Sequence, residues 1–391
     1  MKLNYDTLGK YIKLIDVRNQ DLTVEKLLGV SITKQFIPSI ANTVGTDFSS
    51  YKVVKHDQFA YGPVTSRNGD KMSIALLDDE ECIVSSSYLV FKVIDTKRLL
   101  PEYLMLWFKR PEFDRYARFK SHGSVREIFD WDEMCKVKLP VPDISVQRSI
   151  IQAYNTLERR IHVKQQINDN LLATGICILD NLLGSVNLVN STSADIDSLK
   201  LPEGWTIQMV SEYAQSVKSG STPSRTDYSF WENGTIPWLK SGEVHNNVTI
   251  STEEFITELG LRGSSTHLLP PDTVLMAMYG VTAGEVGYLA IPSTTNQAIC
   301  GMVCKTKAQS AFLYFTLLFS QQSISRLSNG GAQDNLSKAF IESIKLVVPS
   351  AEHIETLGLS TIVEQITVNT REISTLEQTQ DTLLSRLSSR Q

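Results

Sequence analysis

The feature that most constrains this chain is that it is written twice. Residues 137–142 read VKLPVP and residues 344–349 read IKLVVP, 207 positions later. Ahead of each lies a Gly-containing polar stretch, 121–125 (SHGSV) in one half and 329–333 (NGGAQ) in the other. Ahead of those come helix-like segments, 101–108 (PEYLMLWF) and 310–315 (SAFLYF), and earlier still the strand-like runs 87–91 (SYLVF) and 297–301 (QAICG). At the strand-like runs the offset is 210, so it drifts by only three residues across the repeat. A near-constant offset over this length predicts one domain occurring twice. Within each copy, short β-branched and aromatic runs such as 51–54, 81–84 and 273–278 are punctuated by Gly, Pro, Asn and Asp, which predicts mixed strands and a few helices, α+β in class.

After each VKLPVP-like strand the periodicity becomes helical. Ile150, Tyr154, Leu157 and Ile161 alternate spacings of four and three, and the stripe resumes at Ile167, Leu171, Ile178 and Leu182 with Gly175 between. At the C-terminal end Leu359, Ile366, Ile373, Gln380 and Leu387 recur every seven, interleaved with Ile362, Asn369, Leu376 and Leu383. Two such seams predict a pair of long helices joined as a coiled coil, with Asn369 and Gln380 as polar interruptions that set register. The alternative is two amphipathic helices, each packed on its own domain. The resulting organisation is a first domain over 1–145, a central long helix over 146–183 and a Ser/Asn/Asp-rich linker over 184–200. A second domain then covers 201–350 and a C-terminal long helix 351–391.

Composition narrows the class. The net charge is −5, but residues 1–150 carry 22 basic against 20 acidic side chains, and the excess acid lies further on. An acidic total does not forbid nucleic-acid binding, which depends on local patches, but it predicts help from a more basic partner. The start is mixed and polar, and no apolar run approaches the ~20 residues that span a bilayer, so a cytoplasmic protein away from membranes is expected. Five scattered cysteines read as free thiols, and neither they nor the six histidines cluster as metal ligands. No phosphate loop and no Asn-Pro-Pro-Tyr-type run occurs; Gly284 to Gly287 reads as a turn. Asp95 and Lys97 have the carboxylate-x-lysine spacing of some nucleases but no supporting acid upstream, and read as a solvated strand end. No catalytic residue, metal or cofactor is therefore expected in this chain.

The second half carries motifs that resemble a known family. LPEGW at 201–205, the SG-x-TP turn at 219–223, the Pro-Trp strand at 236–244 (IPWLKSGEV) and the NQA strand at 295–299 (TNQAI) resemble, in that order, the specificity subunits of Type I restriction–modification enzymes. The first half starts at 5–9 (YDTLG) without those marks and is assigned through the repeat. The resemblance implies a pseudo-two-fold subunit in which an antiparallel pair of long helices separates two target-recognition domains. It implies reading of a split double-stranded DNA target and scaffolding of two methyltransferase subunits, which would hold S-adenosylmethionine, with restriction (translocase) subunits added for cleavage. Two other readings stay open: a coiled-coil scaffold whose repeated domains bind protein, and a self-contained methyltransferase.

Base reading needs donors and acceptors against base edges, while Lys and Arg on phosphates set position. The candidate loops in the first domain are 31–35, 62–71 and 121–126, with Arg67 and Arg126 as guanine or phosphate contacts beside Asn68, and Lys34 and Gln35 behind them. In the second domain they are 218–225, 240–245, 279–287 and 329–338. There Arg225 and Lys240 take the basic part, Gln333 and Asn335 are candidate adenine readers, and Lys218, Ser221, Ser241, Thr282 and Lys338 line the same loops. A helix of roughly 35 residues is about 50 Å long and could hold two half-sites one duplex turn, roughly 34–36 Å, apart.

Overall fold

The computed structural model describes residues 5–39, 45–66, 69–122, 127–184, 200–328 and 335–387. The chain divides into two compact units, Met1–Ile161 with Thr375–Gln391, and His162–Ser374. Both are α+β.

In the first unit the strands are β1 Tyr5–Thr7, β2 Ile12–Ile15, β3 Leu28–Val30, β4 Phe36–Pro38, β5 Lys52–Val54, β6 Gln58–Tyr61, β7 Ile74–Leu76, β8 Cys82–Val84 and β9 Leu89–Val93. Helices α1 Pro101–Lys109, α2 Pro111–Lys120 and α3 Trp131–Lys136 follow, then β10 Lys138–Pro140 and the long helix α4 Ile144–Leu183, whose later part belongs to the second unit. The second unit continues with β11 Thr206–Met209, α5 Val210–Tyr213, β12 Ser216–Ser219, β13 Ile236–Leu239, β14 Val248–Thr249, β15 Glu254–Ile256 and α6 Glu258–Arg262. Then come β16 Thr273–Ala277, β17 Val286–Leu289, β18 Thr294–Thr295, β19 Ile299–Val303, α7 Lys307–Ser328, α8 Lys338–Ser343 and β20 Lys345–Val348. The chain ends with α9 Ala351–Thr356 and α10 Leu359–Arg386.

The repeat is visible in the strand order. The first unit holds a sheet β2-β9-β6-β7 and the second β12-β19-β16-β17-β14, so four strands occupy the same sequence of places. Each unit is closed in the same way: β1 runs antiparallel to β10, and β11 antiparallel to β20. The residue that follows each opening strand is buried and donates its N–H to the residue before the closing strand, Leu8 to Val137 at 2.8 Å and Val210 to Ile344 at 2.9 Å. Helices α3 and α8 precede the closing strands and are capped alike, Asp130 accepting from Glu133 N and Ser337 from Phe340 N, each satisfying an otherwise orphan donor.

The copies differ where sequence chemistry differs. In the first unit Pro111 has no N–H and forces Arg110 into extended backbone (ψ 136°), so α1 ends and α2 begins there. The second unit has no proline in this region and builds α7 as one 22-residue helix. Its apolar patch around 311–317 is buried against Met276, Met302 and Tyr288. The first core is more aromatic, with Phe59 stacked on Phe91 at 4.7 Å and Phe108 against Phe113 at 4.7 Å.

The long helices contribute to each core. In the first unit Ile150 and Tyr154 of α4 and Leu384 and Leu387 at the chain end join one apolar cluster; in the second, Leu179 and Leu183 join Leu359, Val363 and Ile366. Ile161 and Leu376 are also buried, whereas Leu157, Ile373 and Leu383 are half-buried, so the stripe at the end moves from Leu383 to Leu384. Asn369 is buried in the second unit and donates to Asn168 Oδ1 at 2.9 Å while accepting from Lys164 Nζ at 2.9 Å. Lys164 also pairs with Glu372 at 2.9 Å. Later residues of α4 meet earlier residues of α10, which is an antiparallel order. The C-terminal segment is not one helix from 351: Gly358 adopts φ +69°, a conformation costly for other residues, and separates α9 from α10. Most of the linker region, residues 185–199, lies outside the described residues.

Gly175 lies on α4 where a Cβ would come within 2.2 Å of the ring of Phe315 on α7, a side chain with no exposed surface. Helix propensity alone favours alanine there by about 1 kcal/mol, whereas forcing a methyl into a packed core costs typically 1–3 kcal/mol. Gly175→Ala is therefore expected to lower the melting temperature of the second unit. A rise on thermal denaturation would show that Phe315 yields.

Candidate nucleic-acid interface

In the first unit the 31–35 turn and the end of the 62–71 segment are tied to one carboxylate, Asp114; residues 123–126 of the third predicted loop lie outside the described residues. Asp114, in the first turn of α2, accepts from the backbone N–H of Met72 at 3.0 Å and from Lys34 Nζ at 2.8 Å. Loop 62–71 is also tied to the segment after 121–126, because Thr65 N donates to Glu127 O at 2.9 Å and Phe129 N to Pro63 O at 2.8 Å. The Glu127 side chain holds Arg118 from α2. Lys34 is thus not a surface contact. Its ammonium is buried, donating to Phe108 O at the end of α1 as well as to Asp114, and burial pushes its pKa down while Asp114 opposes the shift. Gln35 beside it is exposed. Arg67, Asn68 and Arg126 lie outside the described residues.

In the second unit the described parts of the four predicted loops form a chain of contacts. Gly220 packs so closely that a Cβ would sit 2.0 Å from Thr295 O, and Ser221 N donates to that same oxygen at 3.0 Å. Thr222 Oγ1 donates to Gln297 Oε1 at 2.6 Å, and Trp238 Nε1 to Ser221 O at 3.0 Å. The SG-x-TP turn, the Pro-Trp strand and the NQA strand are therefore parts of one assembly. Arg225 lies over the rings of Trp231 and Trp238, 3.7 and 4.9 Å from their centroids, and pairs with Glu254. Lys240 pairs with Glu253 at 2.7 Å and Glu254 at 3.2 Å. The Arg225 and Lys240 hydrogen bonds hold the Glu254 carboxyl below the usual range, and the two glutamates raise Lys240.

The contacts continue through the remaining loops. His245 lies 3.1 Å from Glu285, and Asn246 Oδ1 accepts from Val286 N at 2.9 Å. Tyr279 pairs across to Asn335, and Leu336 N donates to Met278 O at 2.7 Å. Lys218 and Asn335 are exposed, and Ser241 and Thr282 half-buried. Lys338 is bound to Glu342 at 3.3 Å one turn along α8. Gln333 lies outside the described residues. Sequence reasoning missed Asp114, Glu127, Glu253 and Glu254, the acids that hold these loops together. Their partners lie 9 to 80 residues away, and Asp114 reads as an ordinary helix-start acid, so no local pattern marks them.

Elsewhere the residues with chemical potential are ordinary. Asp95 and Lys97 are exposed in a turn after β9, where Lys97 N donates to Asp95. Among the described residues no group of three or more His, Cys, Asp and Glu could hold a metal, and no helix is long and apolar enough to cross a membrane. Burial pushes the Cys82 and Cys304 thiols up to about 11 and Cys300 to about 12.

A duplicated α+β domain presenting linked polar loops defines a protein built of two recognition-type modules. The family described as "Type I restriction modification DNA specificity domain" matches residues 35–173 and 202–378, one match for each copy, and the chain belongs to that family. The Type I restriction enzyme HindI specificity subunit of Haemophilus influenzae is 22% identical over 416 residues, covering 89% of each chain. The MjaIX specificity subunit of Methanocaldococcus jannaschii is 29% identical over 168 residues, 40% of this chain and 37% of that one. Among solved structures, the Type-I restriction-modification system S subunit from M. genitalium aligns over 100% of this chain and 97% of its own with TM-score 0.57 at 16% identity, a likeness of fold.

Thiolates are the reactive form of cysteine, so the raised thiols should resist modification at neutral pH while the exposed Cys177 reacts at once. Titration with a thiol reagent is expected to modify Cys177 first and Cys82 and Cys300 only after unfolding. Rapid modification of Cys300 in the native protein would contradict its burial.

Proposed function

We propose that this chain is the DNA sequence-specificity subunit of a Type I restriction–modification complex, and that its two modules each read one half of a split double-stranded target. The observation that carries the proposal is that the family's domain falls on both units, each with its own hydrogen-bonded set of polar loops. Small neutral donors on closely approaching backbone suit base edges, and the few loop cations suit phosphates. Arg225, Lys240 and Lys338 already have carboxylate partners in the chain. That pairing weakens its own pull on phosphate, in line with a net charge of −5. The chemistry then belongs to others: two methyltransferase subunits that carry S-adenosylmethionine, and restriction subunits where cleavage occurs. This chain supplies recognition and scaffolding.

The spacing of the half-sites follows from the helices in this reading. α4 runs through 40 residues, about 60 Å at 1.5 Å per residue, and shares both apolar clusters with segments at or near α10. The two would act as paired rods between the modules.

When the chain is co-expressed with its methyltransferase partner and modified sites are mapped, a split motif is expected. Exchanging residues 1–145 for those of another family member should alter one half of that motif and leave the other. An unsplit motif, or changes in both halves, would overturn two-module reading. Inserting one helical turn into both α4 and α10 is expected to lengthen the unread gap with both halves unchanged. A changed half-site would refute the ruler.

A further inference from the structure

Lys34 occupies an unusual position for a charged residue. It lies in the turn between β3 and β4, closed by Lys34 N to Ser31 O at 3.1 Å and Ser31 N to Gln35 O at 2.9 Å, and its backbone is left-handed at φ +65°. A lysine there is strained where glycine or asparagine would not be, and a buried ammonium carries a desolvation penalty that only a well-placed partner offsets. Both costs are accepted at one residue. The side chain reaches the joint between α1 and α2 that Pro111 creates. There it meets Phe108 O at a helix C-terminus, Asp114 at a helix start and the ring of Phe113 at 5.7 Å. Each helix-end polarity favours the charge placed on it. The same oxygen of Asp114 receives the N–H of Met72, the residue that follows Lys71.

We propose that the Lys34–Asp114 pair is a strut that fixes the 31–35 turn against the backbone at Met72, making both residues positioning groups for base selection by the first module. The inference rests on the functional reading above. Neither side chain touches DNA; together they set where the exposed Gln35 and the described residues 69–71 present their donors. A displacement of a fraction of an ångström at a base edge is enough to lose a hydrogen bond. A single mismatched base pair is normally discriminated about tenfold to a hundredfold, and that discrimination is what the strut protects.

The test uses the full chain co-expressed with its methyltransferase partner, with modified sites mapped across the host genome. The variant is the double substitution Lys34→Gly with Asp114→Asn. Glycine accepts the left-handed turn, and asparagine keeps an acceptor for Met72 N without leaving a charge buried alone. The expected result is an unchanged second half-site together with about tenfold more modification, relative to cognate sites, at sites mismatched in the first half. An intact motif with a lower yield at every site would show that the pair only stabilises the fold, and complete loss of modification would count the same way; both overturn the proposal. Failure of the unaltered chain to produce any split motif would instead refute the functional reading itself.

Discussion

Each module depends on pairing its first strand with its last. β1 against β10, and β11 against β20, bring the two ends of a domain of about 140 residues side by side and deliver the chain directly to the next helix. The buried donor that follows each opening strand, Leu8 or Val210, locks the same corner in both copies. Because the closure is backbone hydrogen bonding, it tolerates different side chains, and LPEGW can be replaced by a bare YDTLG entry. Between entry and exit four strands of the main sheet keep their order, while the helices, the accessory strands and the loops differ between the copies.

Those loops are held by charge satisfied inside the protein. Asp114 in the first unit, and Glu253 and Glu254 in the second, bind Lys34, Lys240 and Arg225, which the sequence pointed outward, and Glu127 binds Arg118. Pre-organised loops lose less conformational entropy when they meet a ligand, which is the return on immobilising long side chains in advance. Arg225 illustrates the arrangement: two tryptophans and a carboxylate hold its guanidinium while half of the side chain stays open to solvent.

Much of the fold was legible in the sequence because its signals are periodic or local. The VKLPVP and IKLVVP segments hold the closing strands, the runs 89–91 and 299–301 are paired strands in the same place of their sheets, and the proline-free stretch before Leu183 is helix. What was not legible came from single residues acting over distance. Pro111 splits a helix in one copy only, Gly358 interrupts the last segment, and Lys34 turns inward because Asp114, 80 residues away, faces it. Among the candidate contacts, the sequence identified loops better than members. A loop announces itself by composition, whereas the direction of one side chain is set by partners that composition does not reveal.

The first unit is discontinuous in the chain. Its apolar cluster includes Leu384 and Leu387, more than 200 residues beyond Ile161, where its own run of sequence ends. During synthesis, which proceeds from the N-terminus at several residues per second, that cluster stays incomplete until Leu384 and Leu387 have been added. The first unit is therefore completed only after the whole of the second, His162–Ser374, has been made, and a chain truncated before Leu384 would carry its fault in the domain built from the earlier sequence.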